Sequence, residues 1–216
     1  MLDLERLVSA NVQQVPYPFA IVPGFVKSDA LAAIDLDFPK VEKAGSFPLA
    51  SLSYGPAFSS LIAELSSAKM AAIIADKLQI DLSGRPVMVT VRGQCSGRDG
   101  HIHTDSTTKL VTVLLYMNRK DESERGRLRI LRSSTDLNDY AAEVPPDEGT
   151  LLIFKNGPTA WHGFEPVDGL RRVIQVNWVT DQSVVRREQA RHRLSAFFKR
   201  LGGLFSGSTG TQAAAH

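Results

Sequence analysis

Between Arg85 and Val179 the chain breaks into short β-rich segments: PVMVTVRGQ, HIHTD, KLVTVLLYMN, GRLRILR, GTLLIFK, WHGFEPV and RRVIQVNWV, each bounded by Gly, Pro, Asp or Ser. What precedes them has another period. Residues 1–14 read as a short amphipathic helix, Tyr17–Val22 as a first strand ended by Pro23-Gly24, and Ser28 as the N-cap of the helix DALAAIDL. Between Ala57 and Leu78 apolar residues recur at three and four, which predicts one or two helices packed on a core. Short strands after a helical first third argue for a mainly β chain with supporting helices, an antiparallel barrel or jelly roll buttressed on one side. No internal repeat is apparent. The expected organisation is one domain over residues 1–182, a basic amphipathic helix over 183–205 and a flexible tail over 206–216.

At 216 residues, 43% hydrophobic and 22% charged, the chain can bury a substantial core as a single globular domain. The formal charge of +2 hides an excess of basic residues beyond Arg186, a local feature that does not mark the whole chain as a nucleic-acid binder. A single cysteine, Cys95, excludes an internal disulfide framework and a multi-cysteine zinc site. The segment MLDLERLVSANVQQ carries acids among its apolar residues and reads as neither a secretory signal nor a membrane span, so a cytoplasmic protein is expected.

The stretch GHIHTDSTTKLVTVLLYMN, from Gly100 to Asn118, carries the chemistry. Read as a strand, it places His101, His103 and Asp105 on one face ahead of an apolar run. A His-x-Asp pair offers one imidazole nitrogen and one carboxylate oxygen, and His162 in GPTAWHGFEPV is the candidate for a third ligand. Two histidines and a carboxylate on one face of a metal are the arrangement of non-heme Fe(II) oxygenases, with open positions for a bidentate co-substrate and dioxygen. A 2-oxoacid that chelates iron at one end presents a free carboxylate at the other, which needs a fixed cation. Arg172, ten residues after His162, is the candidate; it shares its strand face with Ile174, Val176 and Trp178, where an arginine without an anionic partner is costly. Arg171 then points the other way, and Tyr116 of LLYMN is placed to supplement the guanidinium. His101 leaves a second pairing open, a cupin-like His-x-His with His103, but no suitably placed Glu follows, and the carboxylate of Asp105 favours the first.

The ordered set of HTD, LLYMN, GRLRIL, GTLLIF, HGFEPV and RRVIQVNW resembles the prolyl-4-hydroxylase-like branch of the 2-oxoglutarate and Fe(II)-dependent dioxygenases, over roughly Tyr17 to Val179. The resemblance implies a double-stranded β-helix core of the jelly-roll or cupin-like kind. It implies that His103, Asp105 and His162 are the metal ligands, that Arg172 pairs with the distal carboxylate of 2-oxoglutarate, and that Tyr116 assists it. It also implies the reaction: with Fe(II), 2-oxoglutarate and O2, a C–H bond is hydroxylated and succinate and CO2 are released. Halogenating relatives lack the carboxylate, so Asp105 argues for hydroxylation. The sequence departs from the family in having one glycine, Gly126, preceded by Arg125, where paired glycines are usual. Peptidyl, amino-acid and sugar- or lipid-linked substrates all fit such a core. The arginine-rich signature of the nucleic-acid demethylases is not reproduced in RRVIQVNWVTDQS, which argues against nucleic acid. The alternative is a non-catalytic or cupin-like metal- or ligand-binding barrel.

Other residues read more plainly. His192 and His216 are expected in solvent, Cys95 as a small buried or loop residue, Trp161 and Trp178 as packing residues, and Arg92 and Arg98 as charges flanking the site. In VVRREQARHRLSAFFKRLGGLF, the apolar residues Leu194, Phe197, Phe198, Leu201 and Phe205 recur at three and four against a basic face. Such a helix can lie on an anionic membrane as a peripheral contact, or dock its stripe on the barrel or on a second subunit; docking is the preferred reading.

Overall fold

The sequence folds its first third into helices because local signals there are strong. The computed structural model describes residues 1–119, 126–187 and 190. α1 (Leu4–Ser9) starts at Asp3, whose carboxylate accepts from the Arg6 amide at 3.0 Å. It is shorter than the expected 1–14 because Ala10 turns extended and Gln13 bridges to Phe19 at the start of β1 (Phe19–Val22). α2 (Ser28–Asp37) takes Ser28 as its first helical residue, with Lys27 as the cap and no side-chain capping bond. β2 (Phe47–Pro48) is a two-residue strand that the sequence did not announce. α3 (Pro56–Leu65) opens on a proline that needs no helical amide partner, and α4 (Ala68–Leu78) opens on Ser67, whose hydroxyl accepts from the Met70 amide at 3.1 Å. Among the described residues no single helix is long and apolar enough to cross a membrane. α3 and α4 together pass that test across a 42° bend, yet both bury their apolar faces in the core.

The strands follow as β3 (Val87–Cys95), β4 (Lys109–Tyr116), β5 (Leu128–Leu131), β6 (Tyr140–Val144), β7 (Leu151–Lys155), β8 (His162–Gly163) and β9 (Gly169–Val179). Every strand pairing is antiparallel. A six-stranded sheet runs β1-β7-β4-β9-β3-β2 and a three-stranded sheet runs β6-β5-β8. The two sheets enclose one apolar cluster, and the helices cover the far side of the larger sheet with another, giving the jelly roll with supporting helices that the strand pattern predicted and the double-stranded β-helix that the resemblance implied.

Alternation along the strands assigns each residue to one of these layers. In β4, Val111, Val113 and Leu115 join the cluster under the helices, while Leu114 and Tyr116 pack into the inter-sheet cluster and Thr112 lines the inter-sheet cavity. In β9, Ile174, Val176 and Trp178 face the helices, while Arg171, Val173 and Gln175 line that cavity. Because both faces of β4 are covered, its sequence is apolar with little visible alternation. Phe58, Leu61, Ile74, Ile174 and Trp178 are each at most 1% exposed, and each such side chain contributes roughly 1.5–3 kcal/mol on burial.

HIHTD does not form a regular strand. His103 makes an isolated antiparallel bridge to His162 at the rim of the smaller sheet, and the residues around it run as irregular backbone. The basic amphipathic helix expected over residues 183–205 and the tail 206–216 fall almost wholly outside the described residues. Within them, residues 182–187 are helical, and Val184 and Val185 pack on Val179.

Candidate metal centre

The bridge that interrupts the expected strand is what assembles the site. His103 N–H donates to the His162 carbonyl and His162 N–H donates to the His103 carbonyl, both at 3.0 Å, so two candidate ligands from distant parts of the chain stand directly opposite each other. Their imidazole centroids are 4.4 Å apart. Each ring is turned by a bond to its own backbone: His103 Nδ1 lies 2.8 Å from the His101 carbonyl and His162 Nδ1 lies 3.0 Å from the Ala160 carbonyl. A carbonyl only accepts, so both Nδ1 atoms carry the proton and both Nε2 lone pairs are left for a metal. One ligand atom from each of His103, Asp105 and His162 lies within 4.8 Å of the others. The side chain of His101 is exposed and takes no part in this cluster; its backbone carbonyl orients His103.

Electrostatics hold His162 and Asp105 in the forms a metal needs. Burial pushes the His162 pKa down, His103 adds to the effect, and the attraction of Asp105 only partly offsets it, leaving it at about 4. The ring is neutral at physiological pH. Burial pushes the Asp105 carboxyl up, but the Lys109 ammonium, His162 and two hydrogen bonds outweigh it and hold the group below its usual range. Those bonds come from Lys109 Nζ to Oδ1 at 2.7 Å and from Thr112 Oγ1 to Oδ2 at 2.5 Å. Neither donor was singled out from the sequence. The donor set of two neutral imidazoles and one carboxylate, converging from one side, fits Fe(II) and leaves the opposite side open.

That side is a cavity of about 220 Å³, lined by the three ligands together with Thr90, Arg92, Lys109, Thr112, Phe164, Arg171 and Gln175 among others. Of the two adjacent arginines of β9, Arg171 lines it and Arg172 does not, which corrects the expectation for Arg172. β9 turns its Ile174, Val176 and Trp178 face to the helices, and Arg172 goes with them. There it is bonded to Asp35 of α2 and lies 5.3 Å over the Phe38 ring. Arg171, 5% exposed, points between the sheets. One of its nitrogens donates to the Gly126 carbonyl, another lies 3.5 Å from the Tyr116 hydroxyl, and its guanidinium stacks 4.2 Å over Phe164. No carboxylate pairs with Arg171 among the described residues, a costly state for a buried cation and one that an incoming anion relieves. Tyr116 lies where the sequence reading placed it, beside the cavity arginine, but the partner is Arg171. Burial pushes its hydroxyl pKa up, with Arg171 offsetting part, so the group stays a hydrogen-bond donor.

The remaining residues sort themselves by contact. Tyr17, unremarked in the sequence, donates to the Trp161 carbonyl at 2.9 Å and packs in the inter-sheet cluster. Burial pushes the Cys95 thiol up despite the nearby Arg92 and Arg171, so it is an inert thiol. Arg92 lines the cavity and pairs with Asp99 at 2.9 Å, whereas Arg98 is exposed. Trp178 is a core residue.

Residues 90–180 match the family model described as the 2OG-Fe(II) oxygenase superfamily. Among solved structures, a prolyl-4-hydroxylase from Pseudomonas putida is 15% identical, with a TM-score of 0.52 over 82% of this chain and 90% of its own. HygX from Streptomyces hygroscopicus, solved with nickel and 2-oxoglutarate bound, is 14% identical, with a TM-score of 0.53 over 84% of this chain and 88% of its own. A collagen prolyl hydroxylase of Paramecium bursaria Chlorella virus-1, solved in a 2-oxoglutarate complex, is 13% identical, with a TM-score of 0.51 over 75% and 96%. At such identities the likeness is one of fold. No curated protein matches the sequence. The matched stretch contains all three candidate metal ligands and Arg171, and the surrounding architecture agrees with it: over residues 90–180 the chain is similar to the 2OG-Fe(II) oxygenase superfamily, and its fold is that of prolyl-4-hydroxylase-like structures.

Proposed function

We propose that the protein is a 2-oxoglutarate-dependent Fe(II) hydroxylase in which Arg171 receives the distal carboxylate of 2-oxoglutarate, and that its primary substrate is a peptidyl or small-molecule C–H bond. The observation that carries this reading is that His103, Asp105, His162 and Arg171, a buried arginine with no carboxylate partner among the described residues, line one cavity. Bound Fe(II), with 2-oxoglutarate and dioxygen, supplies the oxidising chemistry that turns C–H into C–OH and yields succinate and CO2. The protein's own residues bind and orient. Two neutral imidazoles and Asp105 hold the metal from one side; Arg171 and the Tyr116 hydroxyl fix the far end of the co-substrate; Phe164 and the apolar inter-sheet cluster keep water from its path. Among the fold relatives, a Trichoplax adhaerens prolyl hydroxylase was solved with a hypoxia-inducible-factor peptide, which supports a peptidyl substrate as one choice. The cupin-like reading gives Arg171 no task.

An anaerobic titration with Fe(II) and then 2-oxoglutarate tests this. We expect the weak visible charge-transfer band of a chelated 2-oxoacid, lost in His162→Ala. Arg171→Ala should weaken 2-oxoglutarate binding about tenfold or more, the scale of a lost charge-assisted pair, and Arg172→Ala should leave it unchanged. Stoichiometric iron without the band would favour the cupin-like barrel, and an effect of Arg172→Ala in place of Arg171→Ala would reverse the assignment.

A further inference from the structure

Asp105 is held by a hydrogen-bond network whose direction can be worked out donor by donor. Thr112, 1% exposed, places Oγ1 at 2.5 Å from Asp105 Oδ2. The same oxygen lies 2.8 Å from Asn177 Nδ2 and 2.8 Å from Asn156 Nδ2. A hydroxyl has one proton and two lone pairs, and an amide nitrogen only donates, so both lone pairs are filled and the single proton goes to Asp105. The amide of Asn177, itself 1% exposed, is oriented by Gln175 Nε2 donating to its Oδ1 at 3.1 Å. Turning the Asn156 amide round would claim the Thr112 proton for its own Oδ1 and leave two acceptor oxygens 2.5 Å apart, so the arrangement stands although Asn156 Oδ1 has no partner among the described residues.

The geometry points to Thr112 as the positioning residue of the metal centre. By occupying Oδ2, Thr112 would leave Oδ1, which accepts from Lys109 Nζ, as the oxygen offered to a metal, so that Asp105 would bind it through one oxygen. The consequence is coordination number. A carboxylate bound through both oxygens would occupy a fourth position on an octahedral metal, and only two would remain for a bidentate 2-oxoacid and dioxygen, which need three. Asn156, Asn177 and Gln175 then serve the site at one remove, and Gln175, which lines the cavity, connects its wall to the ligand.

This rests on the metal-site reading above, and the test separates the two. The full-length protein and its variants are titrated anaerobically with Fe(II) alone and the dissociation constants compared. Thr112→Val, which keeps the shape and removes the hydroxyl, should weaken Fe(II) binding about tenfold or more, the usual scale for losing a group that orients a metal ligand. Thr112→Ser, which restores the hydroxyl, should return it to within about threefold of wild type on that same scale. Should Thr112→Val not fold, Asn177→Leu, which frees one lone pair of Thr112, should weaken binding in the same direction. Wild-type affinity in Thr112→Val or in Asn177→Leu, or a Thr112→Ser variant as weak as Thr112→Val, would overturn the assignment while leaving the metal site intact. A wild-type protein that binds no Fe(II) would overturn both.

Discussion

Burial of the His162 ring, against the Phe154 ring 5.0 Å away, disfavours its protonated form, and the neighbouring His103 adds to the effect, so its pKa falls to about 4. The unfolded chain has no such penalty and takes up its proton near pH 6.5. Between those values the unfolded state binds a proton that the folded state refuses. Stability linked to this group is therefore complete above about pH 6.5 and is lost as pH falls toward 4, on the order of 3 kcal/mol across the window. Asp105, held below its usual range, adds its own loss only at lower pH. Urea unfolding of the metal-free protein should show this slope, and His162→Gln should flatten it; equal slopes in both proteins would contradict the burial argument. The clustering of His103, Asp105 and His162 was legible in the sequence because the proposed chemistry needs scarce residue types and five histidines leave few combinations. Lys109 and Thr112 were not, since a lysine and a threonine at the start of an apolar strand are ordinary, and only the fold reveals that both reach Asp105.

At the level of the element, the decisive feature is the close approach of the 100–103 segment to the 162–164 segment. Gly100 has φ +96°, a conformation that side chains rarely adopt, and a Cβ there would fall 2.3 Å from the Phe164 carbonyl oxygen. A Cβ at Gly163 would meet the Gly100 carbonyl oxygen at 2.9 Å. The two chains touch backbone to backbone, with the Phe164 amide donating to the Gly100 carbonyl at 2.9 Å, and this contact seats the bridge that carries both histidines. Gly100→Ala should therefore cost about 1–3 kcal/mol of stability and also loosen Fe(II) binding, because the two ligand-bearing segments must part. A variant that loses stability but keeps wild-type metal affinity would show that the bridge does not set the ligand spacing. Sequence periodicity could not foresee this arrangement: HIHTD alternates like a strand yet pairs at one residue only. β9 was read correctly as a strand but assigned the wrong side. Ile174, Val176 and Trp178 do share the face of Arg172, and that face packs on helices; the sparse polar residues Gln175 and Asn177 on the other were the sign of a cavity wall.

Across the whole molecule, the two adjacent arginines of β9 serve different layers. Arg171 belongs to the space between the sheets; Arg172 ties the larger sheet to the helical layer through Asp35 of α2, which also bonds Arg119. Burial pushes the Asp35 carboxyl up, yet its bonds to the two guanidiniums hold it below the usual range. A half-buried arginine among apolar residues does demand an anion, and here the anion is a carboxylate of the chain itself, contributed by a helical residue 137 positions earlier. Such a long-range partner leaves no trace in local pattern, which is why the helices were legible and their tie to the sheet was not. Arg172 and Asp35 are 14% and 20% exposed, so solvent screens the pair in part, and Asp35→Ala should cost about 1–3 kcal/mol, less than a fully buried pair would. For a chain of this size that lowers Tm by roughly 3–10 °C. The affinity for 2-oxoglutarate, measured on the folded variant below its transition, should stay at the wild-type value, because the damage lies on the far side of the sheet from Arg171. Loss of co-substrate binding in a folded Asp35→Ala protein would mean that the helical layer sets the shape of the cavity, and the separation of the two arginines into structural and binding roles would fail.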